Sequence, residues 1–366
     1  MAKTLRELDP HHAAERASGP ERTWHRADEP GFSVHGLPWF KENNGAFLRL
    51  PLRAKGVVRD AVWELSTMPS GGRVRFRTDS TALSLRIRHS RPEIAMPHMC
   101  AVGVSGIDLY EGPPSAMVYW GSNKQIVAQA DYTSDYVSGL SRKMREFTLY
   151  LPVYNDLASL EIGLDPAARV RPPTPFKPRK PVVFYGTSIT QGGCSSRGAN
   201  GFVPVVGRKL GLDVVNLGFS GNGQSDPEVA ALIAELDMAA FVNDCVGNMS
   251  LAWMGTRYAA FNELIRARHP RLPILFMTFT RCAKEHFNPQ ASRETDAKNA
   301  VVAETFRAFK RRGDRAVYFL DCAKVIGYEA DHPSVDGAHL TDLGFLRVAD
   351  AVAPVLKRML TRLKAG

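Results

Sequence analysis

A serine hydroxyl, an Asp-x-x-His pair and two loop residues able to donate N–H groups could together cleave an ester, and this chain holds all of them in one order. The serine is Ser188, in Tyr185-Gly186-Thr187-Ser188-Ile189-Thr190-Gln191-Gly192-Gly193. A hydroxyl is a poor nucleophile until an imidazole takes its proton, and the imidazole needs a carboxylate to fix its tautomer. Asp336-Gly337-Ala338-His339 offers both in a glycine-containing turn ahead of a helix. Acyl transfer also places negative charge on the former carbonyl oxygen, where one preorganised donor contributes about 3–4 kcal/mol. Gly221 can bring a backbone N–H close, Asn248 can offer a side-chain amide, and the Ser188 amide is a third candidate.

Each residue has an ordinary alternative. Ser188 at a strand-to-helix turn could simply cap the helix. Asp331-His332 is a competing pair, but it precedes Pro333 and reads as loop scaffolding, and Asn243 competes with Asn248. Cys194 lies near the serine loop, with no histidine beside it in sequence, and reads as a buried thiol. The serine loop lacks the Gly-Lys-Ser/Thr ending of a phosphate loop, and Gly218–Gly223 lacks the GxGxxG spacing, so no nucleotide site is read. No cofactor and no metal site is expected.

The elements that must position these residues follow from the hydropathy pattern. Apolar runs at Val182–Tyr185, Val214–Leu217, Ala240–Val246, Ile274–Phe279 and Val317–Leu320 predict five buried strands. Amphipathic stretches such as Leu251–Arg268 and Thr295–Arg312 lie between them, with a last helix over Thr341–Leu363 and a kink at Pro354. That alternation predicts a parallel sheet covered on both faces, with ligands bound beyond the carboxyl ends of its strands. Ser188, Gly221 and Asn248 each fall just past a strand end, which points to one shared site.

Before this unit, Phe47 to Ile162 reads as short alternating strands, such as Val74–Arg77, Leu83–Arg88 and Phe147–Leu151, with one face buried and one wet. This predicts an antiparallel β-sandwich. Five prolines in the eleven residues Arg171–Pro181 predict an extended connector. The expected division is residues 1–170, a linker at 171–181, and 182–366.

Composition narrows the classes. The chain has 366 residues, 44% hydrophobic and 23% charged, ordinary for a globular protein of two domains. No apolar run approaches the roughly 20 residues of a membrane span. Residues 1–19 have no apolar core of a secretory signal, and the five cysteines form no CxxC pair, so a cytoplasmic location is expected. The net charge of +10 is dispersed, which favours a solvated surface over nucleic-acid binding.

Taken together, the four blocks resemble the SGNH/GDSL hydrolase superfamily over roughly residues 181–364. The GDS block is here Gly186-Thr187-Ser188, and the third block reads Cys245-Val246-Gly247-Asn248. Both departures resemble a subgroup with an N-terminal sandwich carrying Gly-x-Asp-Leu-Tyr, present as Gly106-Ile107-Asp108-Leu109-Tyr110. The resemblance implies a flavodoxin-like three-layer α/β/α domain after the sandwich. It implies Ser188 as nucleophile, His339 as base and then acid, Asp336 as its orienter, and Gly221 and Asn248 as oxyanion donors. The sandwich is similar to ancillary domains of carbohydrate O-acetyl esterases.

The expected function is a serine esterase removing a short acyl group, acetyl first, from a sugar or other polyol. The expected partner is thus a small-molecule or oligosaccharide ester, with no nucleic acid and no membrane; a homo-oligomer is compatible. The rivals are an acyltransferase using the same acyl-enzyme and a catalytically inert glycan-binding protein. The loop Gly192–Gly201 is expected to line the pocket, with a sandwich aromatic such as Trp39, Tyr110 or Trp120 as one wall.

Overall fold

The computed structural model describes residues 21–123, 126–328 and 331–362. The signal-peptide reading of residues 1–19 lies outside them, as does Leu363 of the last helix. Among the described residues no helix is long and apolar enough to cross a membrane.

Residues 22–171 build two antiparallel sheets. One orders its strands as Thr23–Arg26, Ser159–Leu164, Leu83–Arg88 and Asp131–Val137. The other runs Val170–Arg171, Arg73–Thr78, Arg145–Tyr150, Asp108–Glu111 and Val118–Ser122, with Ser33–His35 also paired to Arg73–Thr78. Alternate residues such as Phe76, Leu85, Ile87, Phe147 and Ile162 fill the space between the sheets, as the period of two requires.

The outer face of the second sheet is not wet. Arg73 and Arg75 are 1% and 0% exposed, because the rest of the chain packs over them. Arg73 pairs with Asp213 and donates to the Val214 carbonyl at 2.8 Å. Arg75 pairs with Glu146, donates to the Thr174 carbonyl and lies 4.2 Å over the Phe176 ring. The proline-rich connector is therefore packed against the sandwich; its first residue, Arg171, even extends a strand paired to Arg77.

The second unit is a five-stranded parallel sheet: β1 Val182–Gly186, β2 Val214–Gly218, β3 Ala240–Asp244, β4 Ile274–Met277 and β5 Val317–Leu320. Their order is β2-β1-β3-β4-β5, the flavodoxin-like winding. The first three are buried throughout, since helices cover both faces. One layer packs Tyr185, Leu217, Phe241 and Phe276 against Tyr258 and Phe261; the other packs Phe184, Val242 and Leu275 against Phe202, Phe345 and Val352. The stretch 251–268 is helical with one wide π turn at Met254–Tyr258, and the last helix, Asp342–Arg362, continues through Pro354.

Arg49 ties the two units together at the level of the site. Its guanidinium is fully buried and donates to the Met68, Leu65, Asn216 and Gly218 carbonyls, with the Phe219 ring 4.8 Å away. Ser70 Oγ donates to the Gln191 carbonyl at 2.6 Å. The sandwich thus holds both the β2 end and the helix that carries Ser188.

Candidate active site

Ser188 opens a four-residue helix, Ser188–Gln191, directly after β1. The cap is Thr187, whose hydroxyl accepts the Ile189 N–H, so the serine hydroxyl is spared that task. Gly186 is required for close approach: a Cβ there would lie 2.0 Å from Thr190 Oγ1 and 2.7 Å from the Asp244 carbonyl oxygen. As the first residue of the helix, Ser188 has an N–H with no intrahelical partner.

His339 Nε2 stands 3.0 Å from Ser188 Oγ, and His339 Nδ1 stands 2.7 Å from Asp336 Oδ2. A carboxylate only accepts, so Nδ1 is assigned the proton and Nε2 is left to accept from the serine. The other carboxylate oxygen, Oδ1, accepts the His339 and Ala338 amides at 2.8 and 3.0 Å. Burial raises the Asp336 pKa, but those amides and the imidazole outweigh it and bring the carboxyl to about 2. It is an anion wherever the imidazole can serve as a base.

The two remaining candidates sit on the loops after β2 and β3. Asn248 Oδ1 accepts the Gly223 amide at 3.4 Å, which leaves its NH2 group as the uncommitted end. Around Gly221, the amides of Ser220, Asn222 and Gly223 go to Gln191 Oε1, the Phe219 carbonyl and Asn248. Among the described residues none accepts the Gly221 N–H. Gly221 has φ +68°, a left-handed backbone that glycine adopts without strain. Ser188, Asn248, Asp336 and His339 line one cavity of about 390 Å³; Gly221 lies outside its lining, on the exposed loop beside it.

The competitors fall elsewhere. Asn243 is buried and bonded to Asn262 and the Cys245 amide. Asp331 and His332 are about 80% exposed and contact each other. Cys194 is pushed up to about 11 by burial, with the Asp336 charge adding to it, which disfavours a thiolate nucleophile. The sequence puts no histidine beside it, yet the fold brings His98 and His339 there, with one ligand atom from each residue within 4.8 Å of the others. Beneath the serine helix, burial lifts the Asp244 carboxyl to about 7 against the hydrogen bond from Thr190 Oγ1 at 2.8 Å.

Residues 179–357 match the family of GDSL-like lipases and acylhydrolases, and residues 22–170 match the GxDLY N-terminal domain of SGNH-hydrolase-type esterases. Residues 179–357 of this chain are a domain of the GDSL-like lipase/acylhydrolase family. No curated protein matches the sequence significantly. Among solved structures, a Bacteroides ovatus protein described as a GDSL-like lipase is 28% identical at a TM-score of 0.84, covering 93% of this chain and 98% of its own. The salicylyl-acyltransferase SsfX3 from a tetracycline biosynthetic pathway shares the fold at 21% identity and TM-score 0.75, covering 94% and 98%. A Clostridium thermocellum family two carbohydrate esterase, in complex with cellohexaose, does so at 15% and 0.58, covering 80% and 93%.

Two expectations about the walls of this GDSL-family site are corrected. The loop 192–201 does not line the cavity. Cys194 stands beside His339, but the tip of the loop is fastened away from the cavity: Asp108 of the Gly-x-Asp-Leu-Tyr motif accepts the Ala199 amide at 2.7 Å and Arg197 Nη1 at 3.3 Å. Arg197 also donates to Tyr110 OH at 2.7 Å and lies 3.8 Å over the Tyr119 ring, while Asp342 accepts the Ser196 amide. Nor do the sandwich aromatics form a wall. Trp39 and Tyr110 are packed inside at 5% and 3% exposure, and Trp120 sits on an edge strand away from the cavity. The far wall instead comes from Phe279 and from Lys284, Glu294, Thr295 and Lys298. Thr295 and Lys298 read as the polar face of the predicted helix Thr295–Arg312, and Lys284 and Glu294 lie before it in no predicted element, so none of the four carries a signal of a site.

The Asp108 contacts make the sandwich motif a positioning device for the loop that follows the serine helix. Burial raises the Asp108 pKa against the pull of Ser122, Arg197 and the Ala199 amide. Asp108→Ala leaves Arg197 without its carboxylate and the Ala199 amide without an acceptor. The expected result is a fall in kcat of roughly 10–100-fold from misplacement, with KM little changed. Asp108→Asn keeps the acceptor for Ala199 and is expected to recover most of the loss, which steady-state kinetics on the three proteins would check.

Proposed function

We propose that this protein is a serine esterase acting on short acyl esters, acetyl first, of a carbohydrate or similar polyol. The observation that carries the proposal is the Ser188–His339–Asp336 relay, with contacts of 3.0 and 2.7 Å, opening on a cavity of about 390 Å³. Ser188 Oγ attacks the ester carbonyl while His339 Nε2 takes its proton. The oxyanion is held by the Ser188 and Gly221 N–H groups and the Asn248 amide, none of which has another acceptor among the described residues. His339 then protonates the departing alcohol, and the same imidazole activates the water that releases the acid.

The small cavity, with the charged and hydroxyl groups of Lys284, Glu294, Thr295 and Lys298 on its far wall, suits a polar alcohol better than a long alkyl chain. The fold likeness to a carbohydrate esterase bound to cellohexaose supports the same substrate class. A second reading, transfer of the acyl group to an acceptor hydroxyl, is favoured by the likeness to SsfX3 over nearly all of both chains. Both use one acyl-enzyme and differ only in what captures it.

The test is an ester panel of p-nitrophenyl acetate, butyrate and octanoate with acetylated monosaccharides, run with and without excess alcohol and read by product mass. The expected result is the highest kcat/KM on acetyl esters and free acetate as product. A transferred acyl group in the alcohol arm would favour the second reading. Preference for octanoate would overturn the short-acyl assignment. No turnover together with no labelling by a fluorophosphonate probe would leave an inert glycan-binding protein.

A further inference from the structure

Among the described residues, His98 and Cys194 form a cluster of metal-ligating side chains with His339, which the catalytic relay also uses. His98 comes from the segment of the sandwich domain between Arg88 and Ala101, Cys194 from the turn after the serine helix, and His339 from the Asp-x-x-His turn. One ligand atom from each lies within 4.8 Å of the other two, and the two imidazole centroids are 5.7 Å apart. We propose that these three side chains form a binding site for a thiophilic divalent cation, Zn²⁺ in particular, whose occupancy reversibly switches the active site off.

The donor set and the geometry carry this. One sulfur and two imidazole nitrogens are soft to borderline ligands, suited to Zn²⁺, Co²⁺ or Cd²⁺ and poorly suited to Mg²⁺ or Ca²⁺. With Zn–S near 2.3 Å and Zn–N near 2.0–2.1 Å, tetrahedral ligands stand about 3.3–3.6 Å apart. Closing from 4.8 Å therefore needs shifts of about 1 Å. His98 is exposed, and among the described residues neither its ring nor the Cys194 thiol is held by a hydrogen bond, so both are free to make the shift. Cys194 keeps φ at +72°, a backbone that non-glycine residues seldom adopt and that clusters at functional sites.

Asp336 is already bonded to His339 Nδ1 at 2.7 Å, the carboxylate–histidine arrangement that orients a metal-bound imidazole. The ligand nitrogen is then Nε2, the atom that otherwise accepts from Ser188. Binding breaks the Cys194 S–H bond, forms the sulfur–metal bond and releases one proton to solvent. Three protein ligands leave a fourth position for water. With Nε2 occupied, the serine hydroxyl has no base, so turnover stops until the metal leaves. The inhibition rests on the catalytic reading above; the binding does not.

The experiment has two arms. Co²⁺ and Zn²⁺ are titrated into the Ser188→Ala protein, which needs no turnover, by calorimetry and by the thiolate-to-cobalt charge-transfer band. Saturable one-to-one binding with that band is expected, with loss of the band in Cys194→Ser and at least ten-fold weaker binding in His98→Ala. In the second arm, wild-type hydrolysis of p-nitrophenyl acetate is titrated with Zn²⁺. Full inhibition reversed by EDTA is expected. Cys194→Ser and His98→Ala should turn over normally without metal and resist Zn²⁺ at least ten-fold better. Binding without a thiolate band, or equal Zn²⁺ sensitivity in wild type and both variants, would overturn the site. Binding as expected in an otherwise inactive wild-type protein would overturn the catalytic reading and leave the metal site standing.

Discussion

Ser188→Ala is expected to lower kcat for p-nitrophenyl acetate by roughly a million-fold, because loss of the nucleophile in a concerted relay removes nearly all that the relay supplies. What remains should come from the oxyanion donors and binding alone, roughly 10³–10⁴ over water. The fold should be untouched. Among the described residues Ser188 Oγ has one hydrogen-bond partner, His339, while the helix it opens is capped by Thr187. Unfolding free energy should stay within about 0.5 kcal/mol of wild type. Thr187→Val supplies the converse: it removes the cap at about 1 kcal/mol and leaves the nucleophile in place, so it should lose stability without losing the chemistry. Kinetics and thermal unfolding of the two variants separate the roles. Hydrolysis by Ser188→Ala within a hundred-fold of wild type would end the nucleophile assignment.

The contacts behind this assignment are legible in the sequence to the extent that they are local. Asp336 and His339 meet because three residues of a glycine turn put both side chains on one side, and the five apolar runs are the five strands of the sheet. Ser188 and His339 are 151 positions apart, yet their meeting was also readable, since loops after the strands of a parallel sheet converge at one edge. What could not be read is what depends on how two units dock. Arg73 and Arg75 alternate with Val74 and Phe76 as a wet face would, and only the approach of Asp213 and of the connector residues Thr174 and Phe176 turns that face into an interior. The same docking explains the loop 192–201. Its polar tip suggested a pocket wall, but Asp108, Tyr110 and Asp342 satisfy those polar groups elsewhere. His98 carries no local pattern at all; it joins the site because the sandwich brings it across.

Asp336→Asn should be nearly as damaging as loss of the serine, through a cause visible in the hydrogen bonds. The carboxylate is held at both ends: Oδ1 by the Ala338 and His339 amides, Oδ2 by the imidazole. An asparagine in this place must keep its oxygen on the two backbone N–H groups, since its NH2 cannot accept from them. Its NH2 then faces His339 Nδ1 and donates to it. That fixes the proton on Nε2, the nitrogen that must take the serine proton, so the imidazole is in the wrong tautomer to act as a base. The expected loss in kcat is roughly 10⁴-fold, with KM changed little because the substrate does not touch Asp336 in the proposed reaction. Proton NMR gives an independent readout: the downfield Nδ1–H signal of His339 should be present in wild type and absent in the variant. Because the Asp336 pKa is about 2, the wild-type signal should persist across the neutral range and fade only in strong acid, where the carboxylate takes up a proton. Asp336→Ala, which donates nothing to Nδ1, leaves both tautomers open and should retain more activity than Asp336→Asn. Equal losses in the two variants, both of which lack the anion, would show that the carboxylate acts by its charge and not by setting the tautomer.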